Sequence, residues 1–366
     1  SEMCIRDREE LDGAILLAPV HRKYYLGIVS SAGSLIITRE KCFFIVDFRY
    51  IEMARERIKG AEVILQDKLD EQIRQIISDY KLTRIGIDIE HISLQVYKEY
   101  QDITGGRLIP EDIVERVIDG QRSIKSEEEL FKIVRAKKIA DRVFERILLY
   151  IRPGVRYDEL QRKMGILASE EGSQRGSFGF VVSSGDNYME SDILPDYILS
   201  GKALKNGELV TLRLAALYEG YWADISRTVC VGKCCIQQRE LYEKAVIEKE
   251  RIITEIEKGL KRGNKISLNV CSTCEEVMCQ EELGHGIGLE VEEGIRIWKE
   301  VAWEPEAGNV LCIGLKAGIP GKCSVRLQDM VILNKDGVRV IGDTCSAELI
   351  EAVSYTHLTL PTTSRV

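Results

Sequence analysis

LVTLRLAALYEGYWADISRT, residues 209–228, places two strand-like runs on either side of a Tyr218-Glu219-Gly220 turn. Residues 210–217 and 221–229 therefore read as the two arms of a hairpin. Positions 213 and 224 stand about equally far from that turn, which predicts cross-strand neighbours. They hold Arg213 and Asp224. A guanidinium keeps its proton in any protein, so it cannot ligate a metal and is expected to pair with the carboxylate.

Two further stretches stand beside the hairpin. LGHGIGLEVEEG, residues 283–294, holds His285 between glycines that allow close approach of the chain. GNVLCIGLKAGIPGKCSVRLQDMVI, residues 308–332, carries Gly314, Arg326 and Gln328. Together the three stretches resemble the Xaa-Pro aminopeptidase, creatinase and methionine aminopeptidase superfamily, the pita-bread metallopeptidases. The resemblance extends over residues 9–352. It implies an α/β creatinase-like N-terminal domain at residues 9–122 and an α+β pita-bread domain at residues 123–352. It also implies a homodimer. The N-terminal domain serves oligomer contact and the substrate entrance in that family.

The family's chemistry is a two-metal peptidase site with Asp, Asp, His, Glu and Glu as ligands. Paired cations activate a bridging water and polarise the scissile carbonyl. Carried over position by position, the resemblance puts the aspartates at Arg213 and Asp224 and the histidine at His285. The glutamate of the family's I-E-P-G falls on Gly314, and that of V-R-I-E-D on Gln328. Histidines that assist proton transfer fall on Glu281, Glu292 and Asp192, while Arg326 matches a retained arginine.

Six of these positions depart from the family pattern. Glycine offers no side chain, and the glutamine amide coordinates without charge. Arg213 and Asp224 cancel, so the ligand positions are self-neutralised without metal. Asp224, His285 and Gln328 remain as a ligand remnant. That set allows at most one weakly bound divalent ion (manganese, cobalt or zinc), and no cofactor is expected. The three acids read either as a pocket for a peptide or small cationic ligand, or as solvated groups in a disused site. Arg326 is placed to balance them. Two functions stay open. One is a non-catalytic homologue kept for binding or assembly. The other is an altered Xaa-Pro peptidase or creatinase-like hydrolase using one metal or none. Creatinase dispenses with metal, but it keeps its histidines.

Upstream, strand and helix signals alternate. Residues 12–18 read as a strand, and residues 34–47 as a hairpin around Arg39-Glu40-Lys41. YIEMARERIKG, EVIL, LDEQIRQIISDY and RIGIDI then read as helix, strand, helix and strand. Such alternation implies an α/β domain. Ser126 and Glu129 form a capping box that opens a long helix, stopped by Pro153-Gly154. SLNVCSTCEEVMCQEEL, residues 267–283, reads as another helix, with Cys271 and Cys274 on one face as small buried thiols.

The chain has 366 residues, is 45% hydrophobic and carries a formal net charge of −8. Length and apolar content suit two domains with sizeable cores. The acidic balance argues against nucleic acid or an anionic membrane as the main partner. No apolar run approaches the roughly 20 residues of a membrane-spanning helix. Eleven cysteines with no disulfide framework fit reduced thiols and a cytoplasmic location. No G-x-S-x-G elbow or Walker A loop is present, and a Cys312–His285 pair lacks an activating arrangement. Residues 1–8 and 353–366 read as translated library-adapter sequence and carry no weight in the fold.

Overall fold

The computed structural model describes residues 11–174, 180–184, 201–268, 278–279, 282–319, 322–342 and 348–352. Asp192, Glu281, Cys271 and Cys274 lie outside these residues. The chain divides into two compact units, residues 1–122 and 123–366.

The first unit is a three-layer α/β structure. Its strands are β1 (Gly13–Leu16), β2 (Ser34–Thr38), β3 (Cys42–Val46), β4 (Glu62–Leu65) and β5 (Ile85–Ile87). They form one sheet in the order β4-β3-β2-β1-β5. Its helices are α1 (Pro19–Leu26), α2 (Ile51–Arg57), α3 (Leu69–Asp79), α4 (Leu94–Ile103) and α5 (Ile113–Ser123). The period-2 alternation of strand side chains feeds both faces. Ala14, Leu16, Leu35, Ile37, Phe44 and Val46 pack against α2 and α5. Ile15, Ile36, Phe43 and Ile45 pack against Ile73, Ile76 and Ile77 of α3 and Tyr100 and Ile103 of α4. Burial on both faces explains why these strands read as continuous apolar runs.

Two buried carboxyls tie the ends of these elements together. Asp88, just after β5, accepts the N–H groups of Leu17 and Ala18 and faces His21 Nδ1 at 3.1 Å. It thereby satisfies free donors at the start of α1. Glu115 of α5 accepts the Glu90 N–H at 2.8 Å through Oε1. Its Oε2 meets no hydrogen-bond partner among the described residues. Burial lifts this carboxyl from 4.5 to about 7; the Glu90 hydrogen bond opposes the rise, and the Asp88 and Glu90 charges add to it.

The sign of the linkage follows from the raised value. Between 4.5 and about 7 the folded state holds a proton that the unfolded chain releases. The Glu115 contribution to stability is therefore present below that window and is lost as pH rises through it. Glu115→Gln removes the ionisation. Relative to wild type, the variant is expected to gain on the order of 2 kcal/mol between pH 5 and pH 8. Urea midpoints followed by circular dichroism check this. A wild-type-to-variant difference that stays constant with pH contradicts it.

The second unit opens with α6 (Glu127–Ile147), whose Ser126–Glu129 capping box is formed in both directions. A single 3-10 turn (Leu148–Tyr150) ends it, and α7 (Tyr157–Glu170) follows. Next come β6 (Phe180–Ser184), β7 (Leu209–Tyr218), β8 (Tyr221–Val231) and the long α8 (Ile236–Arg262). The remaining strands are β9 (Ile266–Ser267), β10 (Met278–Cys279), β11 (Glu282–Gly286), β12 (Glu293–Trp298), β13 (Ala302–Trp303), β14 (Val310–Ile319), β15 (Cys323–Asn334), β16 (Gly337–Val340) and β17 (Ile350–Ala352).

Among the described residues, one large sheet runs β12-β11-β14-β15-β8-β7-β6. One face of its centre is apolar. Leu311, Ile313 and Leu315 of β14 and Val325 and Leu327 of β15 join Leu241, Tyr242, Ala245 and Ile252 of α8 in a single core. The alternate residues of the same strands point to the opposite face, and that face carries the site.

The described parts of residues 267–283 do not form the expected helix. Its described parts are strands: Ser267 in β9, Met278–Cys279 as β10, and Glu282 and Leu283 opening β11. Met278 and Cys279 pair with Gly318 and Ala317 of β14. Pairing to a distant strand overrides the local helical period. Among the described residues, no helix is long and apolar enough to cross a membrane.

Candidate functional site

Strand register gathers the candidate residues. Gln328 of β15 pairs with Ser226 of β8, and Ser226 pairs with Arg213 of β7. Gly314 of β14 pairs with Gln328, and His285 of β11 pairs with Cys312 of β14. Directly opposed residues share a face, so one pleated surface presents Arg213, Asp224, His285, Gly314 and Gln328.

The hairpin differs from expectation by one step. Arg213 stands opposite Ser226, and Asp224 stands opposite Ala215. Arg213 and Asp224 are therefore diagonal neighbours, not directly opposed. The cause is the turn, which has two residues. Glu219 and Gly220 have φ of 45° and 80°, and Tyr218 pairs with Tyr221 around them. Two consecutive positive φ angles match the right-handed twist of a hairpin. The long arginine side chain spans the diagonal.

Asp224 is fully buried, and its carboxylate is saturated by nitrogen donors. Arg213 Nε donates to both oxygens at 3.1 Å, and Nη2 donates to Oδ2 at 2.7 Å. Gln328 Nε2 adds a bond to Oδ2 at 3.0 Å. Arg326 Nη2 lies 3.4 Å from Gln328 Oε1, which orients that amide. His285 Nδ1 donates to the Gly286 carbonyl at 3.1 Å, leaving Nε2 4.0 Å from Asp224 Oδ2. Burial alone would raise the Asp224 carboxyl. The charge and hydrogen bonds of Arg213, with His285 and Arg326 behind, hold it below the ordinary carboxylate value. Asp224 in turn holds the Arg213 guanidinium further above its ordinary value, against the effect of burial.

Glu292 reaches the same arginine from the segment before β12. Its Oε1 lies 3.7 Å from Arg213 Nη2, and its Oε2 lies 3.2 Å from Arg296 Nη1. Gly314 contributes no donor. A Cβ built there would meet the Leu327 carbonyl oxygen at 2.9 Å and the Gln328 side chain at 3.0 Å. A cavity of about 30 Å³ remains beside these groups, lined among others by His285, Glu292, Gly314, Arg326 and Gln328. That is room for about one water.

Comparison with known proteins places this arrangement. Metallopeptidase family M24 matches residues 132–335, and the creatinase/prolidase N-terminal domain matches residues 5–124. The chain belongs to metallopeptidase family M24. The uncharacterized peptidase YqhT of Bacillus subtilis is 29% identical over 90% of this chain and 93% of its own length. The Xaa-Pro dipeptidase of Pyrococcus furiosus is 28% identical over 92% of this chain and 95% of its own. Among solved structures, an Xaa-Pro dipeptidase from Bacillus anthracis superposes with a TM-score of 0.82 at 28% identity, covering 96% of this chain and 98% of that one. The fold is thus a creatinase-type N-terminal domain followed by a pita-bread domain.

Within this M24 chain, sequence reasoning named the central residues but missed their surroundings. Lys316, opposite Arg326 on the site face, is buried and was not singled out. Arg296 on β12 and Glu282 on β11 were missed as well, because nothing local to either strand signals which partner each faces. Cys312 sits in register with His285, and its thiol donates weakly to the Asp224 carbonyl at 3.5 Å. Burial pushes that thiol well above its ordinary value, and the Asp224 charge pushes the same way. A thiol held protonated is a poor nucleophile.

Proposed function

We propose that this M24 chain is a non-catalytic Xaa-Pro peptidase-like protein, its pita-bread fold retained for binding or assembly. The observation that carries the reading is the Arg213–Asp224 pair: a fixed cation on a fully buried carboxylate of the site. Two divalent ions need several anionic oxygen donors with free lone pairs. Here the Asp224 oxygens already accept from Arg213 and Gln328. Gly314 has no donor, Gln328 is neutral, and His285 is a single imidazole. The residues present do not fit a metal pair.

The reading also bears on partners. Glu292, one of the acids offered for a peptide or cationic ligand, is turned toward Arg213 and Arg296. With space for about one water, the site favours a partner bound elsewhere on the protein, as a homodimer or in a larger assembly. The relatives named Xaa-Pro dipeptidases define the activity to test. After incubation with manganese, cobalt or zinc and extensive dialysis, elemental analysis is expected to find near-zero metal per chain. The metal-loaded protein is expected to leave Xaa-Pro dipeptides uncleaved. One or two tightly held ions, or measurable cleavage above a no-protein control, would return the chain to the catalytic class.

A further inference from the structure

We infer that Arg213 and Glu292 are an energetically coupled pair, in which the arginine supplies from within the chain the positive charge that joins the strands of this site. Glu292 is then its counter-ion and not a group awaiting a ligand. The inference rests on the non-catalytic reading above and deepens it.

The geometry is a line of alternating charge. Asp224 on β8 holds Arg213 on β7 at 2.7 Å. Arg213 stands 3.7 Å from Glu292, and Glu292 stands 3.2 Å from Arg296 on β12. Arg296 lies 3.7 Å from Glu282 on β11. The line therefore crosses from the hairpin to the β11–β12 ribbon, two parts of the sheet that β14 and β15 hold apart in strand order. A guanidinium suits this task because its five N–H donors fan out in a plane. One edge engages Asp224, while Nη2 also faces Glu292.

Arg213 keeps Asp224 and Glu292 keeps Arg296 when the other is absent, but the line of charge is then broken. An arginine at 213 without Glu292 leaves the guanidinium facing Asp224 on one side only. A glutamate at 292 without the arginine brings a second carboxylate toward the buried Asp224. Together the charges alternate, and neighbours in one charge network are where energies couple. Arg326, bound to Gln328, adds a third guanidinium to the two of this line.

A double-mutant cycle on the full chain tests the coupling. Thermal unfolding is measured for wild type, Arg213→Met, Glu292→Gln and the double variant, each in EDTA and in excess manganese. Arg213→Met is expected to lower the unfolding temperature by about 6 °C or more, because it strands a buried carboxylate. Glu292→Gln, partly solvated, is expected to lower it by about 2 °C in wild type and by nothing measurable beside Arg213→Met. If Arg213→Met does not fold, Arg213→Lys replaces it in the cycle, with a reduced coupling expected. Equal effects of Glu292→Gln in both backgrounds overturn the inference. A manganese-dependent rise in wild-type stability instead sinks the metal-free reading, whatever the cycle reports.

Discussion

Asp329→Ala is expected to lower the unfolding temperature of the C-terminal unit by about 10 °C, or to leave it insoluble. Asp329 on β15 accepts from Arg227 Nη2 at 2.6 Å through Oδ1 and from Lys249 of α8 through Oδ2. The three side chains are all but excluded from solvent, at 4%, 3% and 2% exposure for Arg227, Lys249 and Asp329. Arg227 also donates to the carbonyls of Gln328 and Ser226 at 2.6 and 2.9 Å. One carboxylate thus joins β8, β15 and α8 at the heart of the fold. Its removal takes the shared carboxylate from two buried cations, and breaking a buried pair from one side costs about 3–5 kcal/mol. Lys249→Met in the same background takes away one of the two cations and is expected to recover part of the loss. Circular dichroism melts of the two variants decide the matter. An Asp329→Ala melt within about 2 °C of wild type shows that the network contributes little.

Gly284→Ala is expected to cost about 3 kcal/mol, because the clash falls on backbone. A Cβ at 284 would stand 2.3 Å from the Cys312 carbonyl oxygen and 2.9 Å from Ile313 Cδ1. At Gly286 the corresponding obstacle is the Glu293 carbonyl at 2.4 Å. The two glycines let β11 lie tightly between β14 and β12, with His285 in register opposite Cys312. Carbonyls held in a ladder cannot rotate aside, so the alanine must push the strands apart and displace His285 with them. Gly120→Ala is the control. It lies in a helix with nothing within 4 Å of its built Cβ, so it is expected to be neutral or slightly stabilising. Equal melting temperatures for Gly284→Ala and wild type would mean that β11 tolerates a wider spacing.

The two glycines also show how far a motif can be taken from sequence. G-H-G around His285 reads equally as metal-site chemistry and as tight packing. The clash distances assign the glycines to packing, and that need persists whatever His285 does. The capping box at Ser126 was legible because its partners lie three residues apart. The strands of the first unit were legible for a similar reason, since each is an apolar run of a few consecutive residues. Residues 267–283 defeated the same approach. Cys271 and Cys274 at helical spacing suggested a face, yet β10 takes its partners from β14, far along the chain.

By itself the sequence determined the family and the order of domains. It also determined that Arg213 and Asp224 would meet, because a short hairpin leaves a long side chain little choice. Tertiary structure alone decided that they meet on the diagonal, through a two-residue turn. It alone turned Glu292 toward Arg213 and buried Asp329 between Arg227 and Lys249. Backbone pattern depends on neighbours within a few residues, and those are visible in one dimension. The counter-ion of a buried charge depends on strand register and on the elements packed across it, and these exist only once the chain has closed on itself.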